Sequence, residues 1–306
     1  MKLNSRKILI GANLLIVLIL FGILIFKTIS SSGDNKKDST SAVNSTENGE
    51  TTATETTPPE TEPTETEATE PVTEAPVQNG ISYSAEEISN YIRGKVPYTG
   101  EKLVFLTFDD GPNNDTTGRI LDVLKEHGVK ATFFLQGRNV TDSTAEVLKR
   151  IHAEGNCVGM HSYTHDYNYL YPDKVANPAA IVEEVQRTEA VFKKYLGEDF
   201  KPKTWRYPGG HMSWVALEEA DSQLKAMGVE WIDWNAMNGD AEPKSRRPTT
   251  PEGLVQTVSS TLEHSPTKDI AVVLMHDGKS KELTVQTLPQ IIQYFKDNGF
   301  KFAIFN

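Results

Sequence analysis

Between residues 102 and 305, short β-rich runs alternate with amphipathic stretches, and this alternation limits the fold more than any other feature of the 306-residue chain. The runs are KLVFLTF (102–108), KATFFLQG (130–137), CVGMH (157–161), KTWRYPGG (203–210), VEWIDWN (229–235), DIAVVLMHDG (269–278) and FKFAIF (300–305). Apolar residues at helical spacing fill the gaps, predicting helices near 117–128, 143–153, 177–197, 214–227, 251–264 and 285–299. Gly128 stops the first, while Pro178 opens and Gly197 closes the longest. Seven strands alternating with helices predict a parallel α/β fold, either a barrel or an open doubly wound sheet. In both, functional groups gather at the C-terminal ends of the strands.

The residues before that region belong to other classes. Residues 8–26 are an uncharged apolar run, roughly 28 Å long as a helix and so able to cross a hydrocarbon core. Lys2, Arg6 and Lys7 precede it, which predicts a cytoplasmic tip and signal anchor (1–27) in the cell membrane, with the rest extracellular. Cleavage as a signal peptide, leaving a secreted protein, is the competing reading. Residues 28–79 are rich in Thr, Glu and Pro and lack aromatics, the composition of a disordered, extended tether. Residues 80–306 suit a single catalytic α/β domain. The chain's net charge of −11 argues against a nucleic-acid partner. The one cysteine, Cys157, allows no internal disulfide and reads as a buried thiol.

Five strands each deliver polar groups at the same end. Asp109 and Asp110 close the first, His161 the third with His165 four residues on, Arg206 the fourth, DWNAMNGD (233–240) the fifth and His276 the sixth. Spaced H-x-x-x-H, the two histidines would face one way on a helical turn. With one carboxylate they make a three-ligand set that leaves an open position, as in hydrolytic zinc sites. Adjacent aspartates repel, so a division of labour is expected, one binding the cation and the other staying free as a base. His127, His152 and His264 fall at helix ends and read as structural. His211 lies near the mouth, and Trp234, at a strand end, is placed to stack on a sugar ring.

TFDDG (107–111), HSYTH (161–165), RYPGG (206–210), DWNAMNGD (233–240) and LMHD (274–277) together resemble the polysaccharide deacetylases, the NodB-like carbohydrate esterase family, over about residues 100–306. The resemblance implies a distorted (β/α) barrel with about seven parallel strands and removal of N- or O-acetyl groups from polysaccharides. It implies Asp110, His161 and His165 as ligands of a divalent metal, Zn²⁺ first, and Asp109 as general base held by Arg206. It further implies His276 as general acid, the Tyr207 N–H as an oxyanion donor, and Leu274 lining an acetyl-methyl pocket. In the family's Asp-x-x-Asp-Trp motif the first Asp orients the catalytic His. Here Met237 stands at that position and Ala241 at the Trp, so the partner of His276 falls to Asp233 or Asp240, with Asp240 and Trp234 also counted among the substrate-facing residues. The anchor and tether favour peptidoglycan N-acetylglucosamine as substrate. Chitin-like oligomers, an exopolysaccharide, xylan, and a wall-binding module with a weak site are the alternatives.

Overall fold

The computed structural model describes residues 81–306, so the expected anchor and tether lie outside the described residues. Among those described, no helix is long and apolar enough to cross a membrane. The chain runs β1 (Ile81–Tyr83), α1 (Ala85–Ile92), β2 (Leu103–Asp109), α2 (Thr116–His127), β3 (Thr132–Leu135), α3 (Ala145–Ala153), β4 (Cys157–Met160) and α4 (Tyr167–Leu170). It continues with α5 (Pro178–Leu196), β5 (Thr204–Trp205), α6 (Glu218–Ala226), β6 (Glu230–Trp231), β7 (Ala236–Met237), α7 (Pro251–Glu263), β8 (Ile270–His276), α8 (Glu282–Asp297) and β9 (Lys301–Phe305). Among the described residues nine strands therefore replace the expected seven. The additions, β1 and β7, are three and two residues long, too short to show a period of two.

Every strand pairing is parallel, and β2 is the hub. It pairs along its whole length with β8, through its last residues with β3, and through Leu103 and Val104 with β9. The wall runs β6–β5–β4–β3–β2–β8–β7, and among the described residues β6 and β7 do not pair, so it is curled and open at that seam. This is a half-barrel form of the distorted barrel.

Both faces of β2 are buried, as its unbroken apolar run requires in a parallel sheet. Val104, Leu106 and Phe108 face the outer core under the helices. Leu103 and Phe105 face a second core, with Ala85, Ile88 and Ile92 of α1 and Ala303 and Phe305 of β9. Phe105 stacks on Phe305 at 4.6 Å, and burying each ring contributes about 2–3 kcal/mol. Because side chains alternate, Thr107 and Asp109 continue the inner face of Leu103 and Phe105. By the same rule Leu274 and His276 continue the inner face of Ile270 and Val272. The register sets Thr107 beside Leu274 and Asp109 beside His276. Thus the apolar pattern that builds the core also aims the strand-end groups inward.

Helix ends follow the signals in the sequence. Gly128 caps α2 in the left-handed region at φ 65°. The Asn177 side chain accepts from the Ala180 N–H ahead of Pro178 in α5, and Thr250 accepts from the Gly253 N–H ahead of Pro251 in α7.

Candidate active site and metal-binding cluster

Asp109 and Asp110 part company at the end of β2. Asp109 stays on the inner face, buried, where its Oδ1 accepts from the Arg206 guanidinium at 2.9 Å. Arg206 is itself fully buried. It also donates to Thr107 Oγ1 at 2.7 Å and to the Ile232 and Asp233 carbonyls, both at 3.2 Å, and lies 4.1 Å over the Phe134 ring. A buried charge so thoroughly bonded holds the carboxylate in one orientation. Asp110 instead turns off the strand at φ 83°, a backbone state that costs about 1–3 kcal/mol and persists only when its surroundings enforce it. They do. Asn139 Nδ2 donates to the Asp110 carbonyl at 2.8 Å, and Gln136 Nε2 donates to Oδ1 at 2.7 Å.

That turn brings Asp110 to the histidines, 3.9 Å from His161 Nε2 and 3.6 Å from His165 Nε2. One ligand atom from each of the three lies within 4.8 Å of the others. His161 Nδ1 is 2.8 Å from the Arg206 carbonyl, which can only accept, so Nδ1 carries the proton and Nε2 offers a lone pair to the cluster. Burial, with His161 adding, pushes His165 down to about 4 against the opposing pull of Asp110, leaving it neutral at pH 7. Burial alone would push Asp110 up, but His161, His276, His165 and Gln136 hold it below the usual range. Two imidazoles and one carboxylate, oriented and in donating form, fit a divalent metal cation.

The histidines do not sit on a helical turn as the spacing suggested. Ser162 and His165 adopt φ 62° and 55°, and the loop brings the rings to 4.9 Å by folding back on itself. What holds it is Glu184 of α5, fully buried, whose Oε2 accepts from the Tyr163 N–H (2.7 Å), the Thr164 N–H (2.6 Å) and the Thr164 hydroxyl (3.0 Å). Sequence reasoning missed Glu184. Its signal was a Glu on the buried stripe of α5, between Ile181, Val185 and Thr188.

Asp240 is the partner of His276. Its Oδ1 lies 2.7 Å from His276 Nδ1, and its Oδ2 accepts from the His276 N–H at 3.0 Å and the Thr284 hydroxyl at 2.7 Å. This corrects its placement among substrate-facing groups, since both of its carboxylate oxygens are taken by His276 and Thr284. Asp233 serves elsewhere, accepting from the N–H groups of His211 (2.8 Å) and Met212 (3.3 Å). Burial opposes ionisation of both partners, yet their pairing wins. His276 is raised by Asp240, with Asp109 and Asp110 adding, and Asp240 is lowered to about 2 by His276, Lys281 and Thr284.

The remaining residues line the rim. Tyr207 follows Arg206 directly, and its N–H has no acceptor among the described residues. Its buried hydroxyl donates to Asp221 at 2.8 Å. Leu274 stands two residues before His276 on the same face. Trp234 borders a side cavity of about 320 Å³ with Arg93, His211 and His264. His211 stacks on Trp231 at 3.8 Å and bonds Asp221 at 2.9 Å, so it braces that wall. His127, His152 and His264 lie at helix ends as expected. Cys157 is buried, its thiol pushed up to about 12 by burial. Asp277, also missed as a working residue, is buried under the turn. It accepts from the Thr117 hydroxyl at 2.6 Å and is pushed up to about 7 by burial, with Asp110 and Asp109 adding.

Residues 97–230 match the polysaccharide deacetylase family model. A peptidoglycan-N-acetylglucosamine deacetylase of Bacillus cereus is 32% identical over 213 residues, 67% of this chain and 70% of that protein. A bifunctional xylanase/deacetylase of Pseudobutyrivibrio xylanivorans is 33% identical, and the match covers 66% of this chain but only 30% of that longer protein. Among solved structures, a CE4 esterase of Streptococcus mutans superposes with a TM-score of 0.72 at 46% identity, covering 75% of this chain and 94% of that one. The chain belongs to the polysaccharide deacetylase family.

Proposed function

We propose that the protein is a metal-dependent hydrolase that removes N-acetyl groups from peptidoglycan N-acetylglucosamine, anchored in the membrane by residues 1–27 and carried outward on the tether. The observation that carries the chemistry is the separation of the two aspartates. Asp110 is turned toward His161 and His165, while Asp109 is held back by Arg206 beside His276. A divalent cation held by Asp110, His161 and His165 would supply Lewis-acid activation of the acetyl carbonyl and of water.

The protein's own groups do the rest. With Oδ1 tied to Arg206, Asp109 has Oδ2 on the cluster side, 3.7 Å from His161 Nε2, where it takes the proton of the attacking water. The oxygen adds to the acetyl carbon, and the Tyr207 N–H donates to the oxyanion that forms. An amide nitrogen leaves only when protonated. His276, with Nδ1 engaged by Asp240, delivers that proton from Nε2 as the C–N bond breaks, giving acetate and a free amine. A raised His276 stays charged nearer neutral pH, which suits an acid. Leu274 packs against the acetyl methyl, and Trp234 offers an aromatic face to a sugar.

The relative carrying both a xylanase and a deacetylase activity in its name keeps O-acetyl xylan as a second reading. The test is acetate release by the full chain, loaded with Zn²⁺, from purified peptidoglycan, N-acetylglucosamine oligomers and acetylated xylan in parallel. Fastest release from peptidoglycan is the expected result; fastest release from xylan would replace the substrate assignment.

A further inference from the structure

A second cavity, of about 160 Å³, reaches Asp240 between the loop after β7 and the turn from β8 into α8. Its charged lining is Asp240, Arg247, Lys279 and Lys281, with Leu254 and Thr284 among the remaining walls. Asp240 is matched already, by His276 at 2.7 Å and by Lys281 at 3.7 Å. Lys281 also donates to the Asp240 carbonyl at 2.9 Å. Arg247 donates Nε to the Glu242 carbonyl at 2.8 Å, while the Glu242 carboxylate pairs with Arg246. Among the described residues, neither Arg247 nor Lys279 has a carboxylate within ion-pair distance. Two uncompensated cations thus share one small cavity, in a chain whose net charge is −11. The 16-residue helix α8 begins at the same turn and adds its positive end.

We infer that this cavity binds an anionic substituent of the polymer, a carboxylate or a phosphodiester, on the sugar next to the one being deacetylated. The inference rests on the deacetylase reading, because Asp240 joins the cavity to the proton donor. It makes the site selective by charge. Peptidoglycan strands freed of their stem peptides carry lactyl carboxylates on alternate sugars, and N-acetylglucosamine oligomers carry none. Arg247 and Lys279 are exposed at the mouth of the cavity, so their pull on an anion is screened by salt and should fade as ionic strength rises.

The experiment compares the full chain with Lys279→Ala, Arg247→Ala and the double variant. Its substrates are length-matched neutral N-acetylglucosamine oligomers, peptide-free glycan strands with their lactyl carboxylates, and the same strands with the carboxylates reduced to alcohols. The expected result is a loss of about tenfold in kcat/KM by the double variant on carboxylated strands, with the neutral oligomers unchanged. Reducing the carboxylates should impose the same loss on the unmodified protein. Reduced strands turned over normally, with a wall phosphodiester polymer inhibiting the unmodified protein but not the double variant, would keep the site and name phosphate as its anion. Equal losses on all substrates, or none, overturn it. If the unmodified protein releases no acetate from any substrate, the deacetylase reading fails, and the cavity is judged separately by inorganic phosphate. A rise in Tm that the double variant loses supports an anion site, and no rise refutes it.

Discussion

At the scale of single residues, the site turns on neighbours made unlike by their backbone. Asp109 is an inner-face strand residue tied to a buried arginine, and Asp110, one bond away, is a left-handed residue aimed at two imidazoles. The His276–Asp240 pair makes the pH behaviour predictable. His276 is raised in the fold, so its stabilising contribution is full below its ordinary value of 6.5 and fades as pH climbs through the raised one. Asp240 is lowered to about 2 from an ordinary 3.8, so its contribution is full above 3.8 and fades as pH falls toward 2. Asp240→Asn should therefore lower Tm most between about pH 4 and 6.5 and move the alkaline limb of kcat/KM to lower pH. An unmoved alkaline limb would mean that His276 is not the titrating acid, or that Asp240 does not tune it.

At the scale of elements, turns hold the chemistry and helices hold the turns. Glu184 reaches from α5 to clamp the loop between the histidines, and its carboxylate answers two backbone N–H groups at once. Glu184→Ala leaves both without a partner and should cost about 2–4 kcal/mol in urea unfolding, with weaker Zn²⁺ binding. Unchanged stability and affinity would mean that Glu184 does not hold the histidine loop. The β2 turn is just as tight. A Cβ at Gly111 would stand 2.2 Å from Asp277 Oδ2, so Gly111→Ala should destabilise by about 1–3 kcal/mol in the same assay. The sequence showed seven strands and six helices because each lies in a β-rich run or a stretch of helical spacing. Even β5 and β6, two residues long as strands, sit in the aromatic runs KTWRYPGG and VEWIDWN. The sequence did not show the eight-residue α1 or the single-turn α4. It hid β1 and β7, which are short and lie in no separate β-rich run of their own, and it misread His161–His165, since spacing alone does not reveal that Ser162 and His165 turn left-handed. Asp240 was legible only as one of two candidates, because the choice depended on how the loop after β7 folds back to β8.

At the scale of the whole molecule, parallel strands curled around α1 bring groups from β2, β4, β5 and β8, nearly 170 residues apart in sequence, to one mouth. The polar strand ends announced this convergence before any geometry was known, whereas the clamp, the buried Asp277 and the cation-lined cavity needed the packing. A preformed cluster ties stability to metal, so Zn²⁺ at about a hundred times its Kd should stabilise the chain by about 2.7 kcal/mol, read as a rise in Tm that His161→Ala abolishes. Adjacent aspartates divide metal binding from base catalysis in the proposed reaction, and Asp109→Asn separates the two when Zn²⁺ content and acetate release are measured on the same sample. Zn²⁺ content should stay at the unmodified level while acetate release falls about a hundredfold or more. Loss of Zn²⁺ together with activity would make Asp109 a metal-site residue, and full activity with Zn²⁺ bound would mean that Asp109 is not the base.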